Sequence, residues 1–281
     1  MMGIAFAKGE AHGNDFLLVA HDQVRALDPA PLARAICHRL RGVGGDGLIV
    51  YRAGEGDFSM TLFNTDGSLA EISGNGLRCL AAYLVYRGLA AGDSLEVATG
   101  AGRLSLSLAE RDQNRFRFRA NMGKPRSFEK GVALDVDGET FEATTVSLGN
   151  PHLVLFTDSY EVSELRRLGP RIENHPRFPD RTNVELVEVV GPSEIRMGIW
   201  ERGVGETASS GTGSSASAVA SILNGRVKSP VRVHCEGGVL KVEWEDGGDV
   251  FLTGDAIVVA EGSYLLGGGI EPDGVSLLER R

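Results

Sequence analysis

The sequence predicts an α+β protein built from two similar, strand-rich halves, and three observations carry this prediction. Four short landmarks recur once, in the same order, 136 or 137 residues further along the 281-residue chain. Period-two alternation of apolar residues, rich in β-branched side chains, marks twelve strands. A helically spaced segment follows each of two Ser-Gly-x-Gly turns. Strands therefore dominate, with one prominent helix in each half.

The internal repeat predicts the domain organisation. The corresponding segments are 13–16 with 149–152, 58–64 with 195–201, 73–76 with 210–213 and, less strongly, 46–50 with 183–187. A repeat of two long units predicts two domains with a cleft between them, because solenoids need more and shorter units. Glycine, proline and charge interrupt the pattern at 123–131. We therefore place the first half at residues 1–122, joined by the tail from about 266 to 281, and the second half at 123–265.

The individual elements follow from the local pattern. Helical spacing is clearest at 31–40, 75–87 and 212–224. Asp137-Gly138 and Asp246-Gly247-Gly248 have the residues of hairpin turns. The predicted strands are 17–20, 48–51, 58–63, 95–98, 104–108 and 115–120 in the first half, and 145–148, 184–189, 195–199, 231–235, 239–244 and 250–253 in the second.

The composition favours a cytoplasmic protein that acts on a small molecule. The formal net charge is −9, without a basic cluster, which argues against nucleic acid and against an anionic membrane surface as partners. No apolar run is long enough to cross a bilayer, and residues 1–18 lack a signal segment. The three cysteines, Cys37, Cys79 and Cys235, are too widely spaced for a secreted disulfide framework.

Three weaker motifs do not predict a site. The run from Gly42 to Gly47 formally fits G-x-G-x-x-G but leads into a strand, so a dinucleotide is not expected. The adjacent Cys-His and His-Cys pairs at 37–38 and 234–235 lack the spacing of zinc ligands, so we expect no metal. Ser73 and Ser210 lack the G-x-S-x-G context of a hydrolase nucleophile.

The two Ser-Gly-x-Gly turns are the strongest functional signal. Each places glycines at the start of a helix, where N–H groups without helical partners and the positive end of the helix dipole favour an anion. Two such turns, brought together by the duplication, would hold one carboxylate from both sides, with Ser73 and Ser210 flanking the carbon attached to it. The alternative is that both turns only cap their helices, for which Ser and Gly are also favoured.

The motifs around these turns resemble those of the diaminopimelate epimerase family, in order from about residue 4 to residue 265. The resemblance implies two pseudo-symmetric halves, each a sheet wrapped around a central helix, with the active site in the inter-domain cleft. It also implies interconversion of LL- and meso-diaminopimelate in lysine biosynthesis by two-base proton transfer, without a cofactor, in a homodimer. The matching motifs are Gly13-Asn14-Asp15-Phe16, Gly44-Gly45-Asp46-Gly47, Phe63-Asn64-x-Asp66-Gly67, Gly74-Asn75-Gly76-x-Arg78-Cys79, Gly149-Asn150-Pro151-His152, Thr182-Asn183 and Glu201-Arg202-Gly203-x-Gly205-Glu206-Thr207.

The same resemblance assigns the site residues. In that family one cysteine before each glycine turn moves the α-proton, and these two catalytic positions are Ser73 and Ser210 here. His152 and Glu201 match the pair that tunes the catalytic groups. Cys79 belongs to the motif, but we expect it to be a buried small hydrophobe. The matching substrate contacts are Asn14, Asn64, Asn150, Asn183 and Arg202 for the distal amino-carboxylate end, and Gly74, Asn75, Gly211 and Thr212 for the reacting carboxylate.

Serine at both catalytic positions departs from the family. A thiol has a pKa of ~8.5, which a helix N-terminus can lower into a useful range. An alcohol is close to water, at about 15.7, so the same field leaves it protonated. We therefore expect that Ser73 cannot remove an α-proton unaided. Two alternatives remain open: a dehydratase or racemase of another amino acid on the same fold, and a non-catalytic amino-acid-binding paralogue.

Overall fold

The computed structural model describes residues 3–54, 56–70, 73–100 and 102–266, and its contacts divide the chain into two units. The first comprises residues up to Phe118 together with those from Asp255 onward, and the second comprises Arg119–Gly254. The sequence placed these limits near 122 and 265. The second limit differs because the last strand continues beyond Gly254 and pairs with the first strand of the chain. The predicted return of the tail, at 267–281, lies outside the described residues.

The first unit is a sheet whose strand order follows the chain from β1 to β7. Its parallel pairs are β2–β3 and β4–β5, and helices lie between the paired strands in the sequence. Its elements are β1 (Gly3–Ala11), β2 (Asn14–Ala20), α1 (His21–Val24), α2 (Pro29–Ile36), β3 (Gly47–Ala53), β4 (Phe58–Asn64), α3 (Gly74–Tyr86), β5 (Ser94–Thr99), β6 (Gly102–Asp112) and β7 (Arg115–Gly123), whose residues from Arg119 onward belong to the second unit.

The second unit repeats this order of elements. Its strands β10 and β11 are parallel with α4 between them in the sequence, and β12 and β14 are parallel with α5 between them. This is the arrangement that the internal repeat predicted. Its elements are β8 (Ser127–Val136), β9 (Glu139–Ser147), β10 (Pro151–Thr157), α4 (Val162–Glu173), β11 (Asn183–Gly191), β12 (Glu194–Glu201), β13 (Gly205–Thr207), α5 (Gly211–Leu223), β14 (Val231–Cys235), β15 (Gly238–Glu243) and β16 (Val250–Leu265), whose residues from Asp255 onward belong to the first unit.

Each unit has one central helix, as predicted. Ten of the 13 residues of α3 are buried, and ten of the 13 residues of α5 are buried. A helix that is covered on nearly all sides belongs in the middle of its unit, because only the sheet can supply that much cover. The small residues of α5, among them Ala216 and Ala218, let the strands of the second unit approach it closely.

The strand ladders correct one landmark of the repeat. Phe16 pairs with Gly47 between β2 and β3, and His152 pairs with Asn183 between β10 and β11. Gly47 therefore corresponds to Asn183, an offset of 136, whereas the sequence placed this strand at 137. The prediction was wrong by one residue because two similar apolar runs do not define register; pairing with a neighbouring strand does.

Several elements were not predicted. Helix α4 contains Gly169 and Pro170, which normally argue against a helix interior. Here Gly169 is needed, since a Cβ would lie 2.6 Å from the Trp200 ring. Strand β10 begins at Pro151, a position where proline costs no ladder hydrogen bond. No helix in the described part of the chain is long and apolar enough to cross a membrane.

Candidate active site

The two serines have the same local structure. Ser73 precedes α3 with extended backbone (φ −108°, ψ 119°), and its Oγ accepts a hydrogen bond from the Gly76 N–H at 3.1 Å. Ser210 precedes α5 with φ −140° and ψ 130°, and its Oγ accepts from the Gly213 N–H at 3.2 Å. Each serine is therefore the N-cap of a central helix. Capping uses a lone pair, so each hydroxyl keeps its own proton to donate.

Beside the first turn, the structure brings Asn14 and Asn75 together. Asn75 Nδ2 donates to Asn14 Oδ1 at 2.6 Å, and Asn14 Nδ2 donates to Asp46 Oδ2 at 3.3 Å. Arg78, one turn into α3, donates to Asn75 Oδ1. These contacts fix the orientation of both amides, since each oxygen and each nitrogen has a defined partner.

An ion network that the sequence analysis missed anchors Asn14. Asp15 lies 2.7 Å from Lys8 Nζ and 2.7 Å from Arg39 Nη2, and Arg39 also lies 2.6 Å from Asp46 Oδ1. Burial would raise the pKa of Asp15, but hydrogen bonds from Arg39 and Lys8 outweigh burial and lower the pKa to about 2. Asp15 therefore remains ionised and paired, and it holds the start of β2 in place.

A chain of side chains leads from the core to the second turn. His152 Nδ1 lies 2.6 Å from Glu185 Oε1, and His152 Nε2 lies 3.1 Å from Asn150 Oδ1. Asn150 Nδ2 donates to Thr212 Oγ1 at 3.2 Å, and Thr212 Oγ1 lies 3.5 Å from Ser210 Oγ. Four residues predicted for the site are thereby in one network, together with Glu185, which was not predicted.

Glu201, at the end of β12, is the carboxylate beside Ser210. It accepts a hydrogen bond from Thr207 Oγ1 at 2.5 Å. Burial raises the pKa of Glu201, while the hydrogen bond from Thr207, the proximity of His152 and the Ser210 hydroxyl oppose that shift.

Three of the residues predicted to bind a distal substrate end, Asn64, Asn183 and Arg202, are held by backbone and loop contacts. Asn183 donates to the Pro151 carbonyl at 2.8 Å and accepts from the Arg202 N–H at 2.9 Å. The Arg202 side chain donates to a backbone oxygen of the loop before β11 at 3.2 Å. Asn64, in the first unit, donates to Ser68 Oγ at 3.0 Å. Asn183 thus connects β10 to the turn that carries Arg202.

The glycines of the two turns differ in whether packing requires them. A Cβ at Gly213 would lie 2.4 Å from Ile199 Cδ1, so α5 can approach β12 only with glycine there. A Cβ at Gly211 would lie 3.1 Å from Leu252, which is also tight. At Gly74 the nearest atom of Arg78 is 3.8 Å away, an ordinary contact. Packing does not explain Gly74, which suits a position where a ligand approaches the backbone.

Sequence reasoning missed Glu185, Thr207 as the partner of Glu201, and Arg78 as a buried cation. A signal for Glu185 was present, because one acidic residue in the apolar run 184–187 is unusual for a buried strand. Cys79 was predicted correctly: it is fully buried, and burial raises the pKa of its thiol.

Solved structures identify the fold. The fold matches a phenazine biosynthesis protein of Bacillus anthracis with a TM-score of 0.70 at 17% identity, over 95% of this chain and 100% of the other. It matches a probable proline racemase of Agrobacterium radiobacter K84 with a TM-score of 0.69 at 16% identity, over 98% and 97%. A hydroxyproline epimerase of Agrobacterium vitis gives a TM-score of 0.67 at 14% identity, over 99% and 97%. The chain therefore has the fold found in these proteins.

Sequence comparison identifies the family. The family model described as diaminopimelate epimerase matches residues 6–128 and 144–259. The diaminopimelate epimerase of Desulfitobacterium hafniense is 44% identical over 90% of this chain and 95% of its own length. That of Desulforudis audaxviator is 42% identical, over 92% and 99%. The chain belongs to the diaminopimelate epimerase family, which makes it an epimerase-type enzyme.

Proposed function

We propose that this chain binds LL- and meso-diaminopimelate, with the reacting carboxylate at the Ser-Gly-x-Gly turns, and moves the proton on the α-carbon without a cofactor. One observation carries the proposal: the same contact is repeated at both turns. In the first unit Asn14 meets Asn75, the second residue of α3. In the second unit Asn150 meets Thr212, the second residue of α5. The same contact beside two helix N-termini suits a ligand whose carboxylate is bound by both turns.

The hydroxyls limit the rate of this reaction. The gap between a thiol at ~8.5 and an alcohol near ~15.7 is roughly 7 pKa units, or ~10 kcal/mol of proton affinity. A helix N-terminus and a neighbouring carboxylate shift acidity by much less than this gap. We therefore propose that Ser73 and Ser210 bind and orient the substrate, and that proton exchange in the unaltered protein is slow.

Binding and exchange can be measured separately. Calorimetry with LL- and meso-diaminopimelate, lysine and hydroxyproline reports affinity, and loss of the α-proton signal in D₂O reports exchange. We expect diaminopimelate to bind more tightly than lysine and to exchange slowly. A protein that binds none of the diaminopimelate isomers contradicts the proposal. Formation of an unsaturated product from hydroxyproline supports the dehydratase alternative.

We further propose that both turns act on one ligand, as the sequence predicts. A disulfide needs Cα atoms within about 7 Å, so oxidation reports whether two positions can meet. The double variant Ser73→Cys with Ser210→Cys should form an intramolecular disulfide under mild oxidation, and ligand should slow this oxidation. Single variants are the control. Failure of the double variant to cross-link in any ligation state contradicts the shared ligand.

The remaining parts of the proposal concern assembly and location. We propose a cytoplasmic homodimer in lysine biosynthesis, which is what the family resemblance and the composition imply. Sedimentation velocity tests the dimer, with a single species of twice the 29.9 kDa chain mass as the expected result. Complementation of a strain that requires diaminopimelate tests the biosynthetic role, and it should succeed only with the thiol-restored variant.

A further inference from the structure

Glu185 is a buried carboxylate that lies outside the motifs that match the family. Its side chain is 0% exposed in β11, and Oε1 lies 2.6 Å from His152 Nδ1. Its other oxygen, Oε2, has no hydrogen-bond partner among the described residues. A buried carboxylate with one partner is costly, because burial removes hydration that a single hydrogen bond does not replace.

The first unit indicates that the fold does not require an acid at this position. By strand register the counterpart of Glu185 is Ile49. A Cβ at Gly76 would lie 3.2 Å from Ile49 Cδ1, and a Cβ at Gly213 would lie 3.1 Å from Glu185 Oε1. The same space is filled by a methyl group in one unit and by a carboxylate in the other. Packing therefore does not explain Glu185.

Hydrogen bonds connect Glu185 to Asn150 through His152. His152 is 1% exposed, and its two ring nitrogens contact Glu185 on one side and Asn150 on the other. Asn150 in turn donates to Thr212 at the start of α5. An imidazole with one nitrogen held by a carboxylate has a fixed ring orientation, so the opposite nitrogen has a fixed direction.

We propose that Glu185 is a positioning residue that acts through His152. Its carboxylate holds the orientation of the imidazole ring, and the ring in turn holds the Asn150 amide in the orientation in which Asn150 contacts the ligand. The proposal rests on the proposed function, because only there is Asn150 a ligand contact.

The test is a double-mutant cycle with two readouts. The variants are Glu185→Gln, His152→Gln and both together. The matched control is Glu188→Gln on the same strand, whose carboxylate accepts from Tyr160 N–H and from Arg196. The first readout is the Asn150 side-chain amide signal in ¹⁵N spectra without ligand. The second is the affinity for meso-diaminopimelate by calorimetry.

We expect Glu185→Gln to shift the Asn150 amide signal and to weaken the ligand about tenfold, the usual cost of a lost charged hydrogen bond. In the His152→Gln background the same change should alter affinity by less than about twofold, because the imidazole through which Glu185 acts is already absent. Glu188→Gln should leave the Asn150 signal in place. If Glu185→Gln does not fold, Glu185→Ile, the residue type of the first unit, replaces it in the cycle.

Two results would overturn the inference: an unshifted Asn150 signal in the Glu185 variant, or an equal loss of affinity in both backgrounds. If the unaltered protein binds no diaminopimelate, the proposed function fails, and the ligand-free Asn150 signal alone then decides the role of Glu185. The two failures are therefore distinguishable.

Discussion

The two Ser-Gly-x-Gly turns share a backbone and differ in their surroundings. Beside the first turn, Gly76 packs against Phe16 and Ile49, and the buried cation Arg78 lies one turn into the helix. Burial lowers the pKa of Arg78 to about 10, which still leaves it charged near neutral pH. Beside the second turn lie the buried Glu185, the half-buried Glu201 and the buried imidazole of His152. The two halves therefore share the serine N-cap, and they differ in the charged side chains that surround it.

This difference has a chemical meaning. Proton transfer on two faces of one carbon needs a base on one face and an acid on the other at any moment. A cation favours an anion at residue 73, and carboxylates favour a retained proton at residue 210. The surroundings of the two turns therefore favour opposite protonation states at residues 73 and 210.

The largest expected effect comes from restoring thiols at both turns. Ser73→Cys with Ser210→Cys should raise exchange of the α-proton of diaminopimelate with D₂O by about 10³-fold or more, the scale of general acid–base catalysis. Each single variant should gain far less, since one acid and one base are needed. Proton NMR in D₂O measures the rate. A double variant that binds ligand but stays inert, or an unaltered protein with an ordinary enzyme rate, contradicts this account of the serines.

The next effect is acid sensitivity in the first unit. Burial, together with nearby Arg78, lowers the pKa of His12 to about 4, and His12 Nε2 accepts the Asp255 N–H at 3.0 Å. Its stabilising contribution is complete above the unfolded pKa of about 6.5 and is lost as pH falls toward 4, by on the order of 3 kcal/mol. Urea unfolding between pH 7.5 and 4.5 should show a shallower loss in His12→Asn. Parallel curves for both proteins would rule out His12 as the cause.

Selectivity for a second amino-carboxylate end is the third effect. Arg202→Ala should weaken diaminopimelate by ~2 kcal/mol or more through loss of a charge pair, and Asn64→Ala should weaken it less. Arg196→Ala, which removes a β12 arginine paired with Glu188, is the control. Calorimetry measures each affinity. Equal binding of lysine and diaminopimelate by the unaltered protein would refute a distal contact.

The charge difference itself can be measured with single thiols. The thiol in Ser73→Cys should have a lower pKa than the thiol in Ser210→Cys by about one unit or more, because a cation stabilises the thiolate and carboxylates oppose it. The rate of iodoacetamide alkylation as a function of pH gives both values. The unaltered protein, with Cys37 and Cys79 buried, supplies the background rate. If the thiol at position 73 has the higher pKa, the two turns do not differ in charge as described.

The smallest effect concerns Glu201 and has the opposite sign to that of His12. Burial raises the pKa of Glu201, so its favourable contribution is present below the unfolded pKa of about 4.3 and is lost as pH rises through the folded value. Glu201→Gln removes this loss. The melting temperature of the variant relative to the unaltered protein should increase between pH 4 and pH 7. A difference that does not change with pH would contradict the prediction.

The sequence predicted the repeat, the central helices and most strands because these depend on local pattern. Helices α3 and α5 begin within one residue of the predicted positions 75 and 212, directly after the capping serines, since capping is a property of a few adjacent residues. What it could not predict depends on residues distant in the chain. Gly169 is tolerated in α4 because Trp200 lies against it. Glu185 joins the site because β11 pairs with β10 in one register.

Trp200 gives this protein an optical reporter of its own. Its indole donates to Glu173 at 2.7 Å, and it directly precedes Glu201 and Arg202 in the chain. The other tryptophan, Trp244, is 3% exposed in the core of the second unit. Replacing Trp244 with phenylalanine therefore leaves a single tryptophan, and it lies next to the turn that carries Arg202, the residue proposed to bind the distal carboxylate of the ligand. Occupancy can then be followed by intrinsic emission, without a label and without turnover.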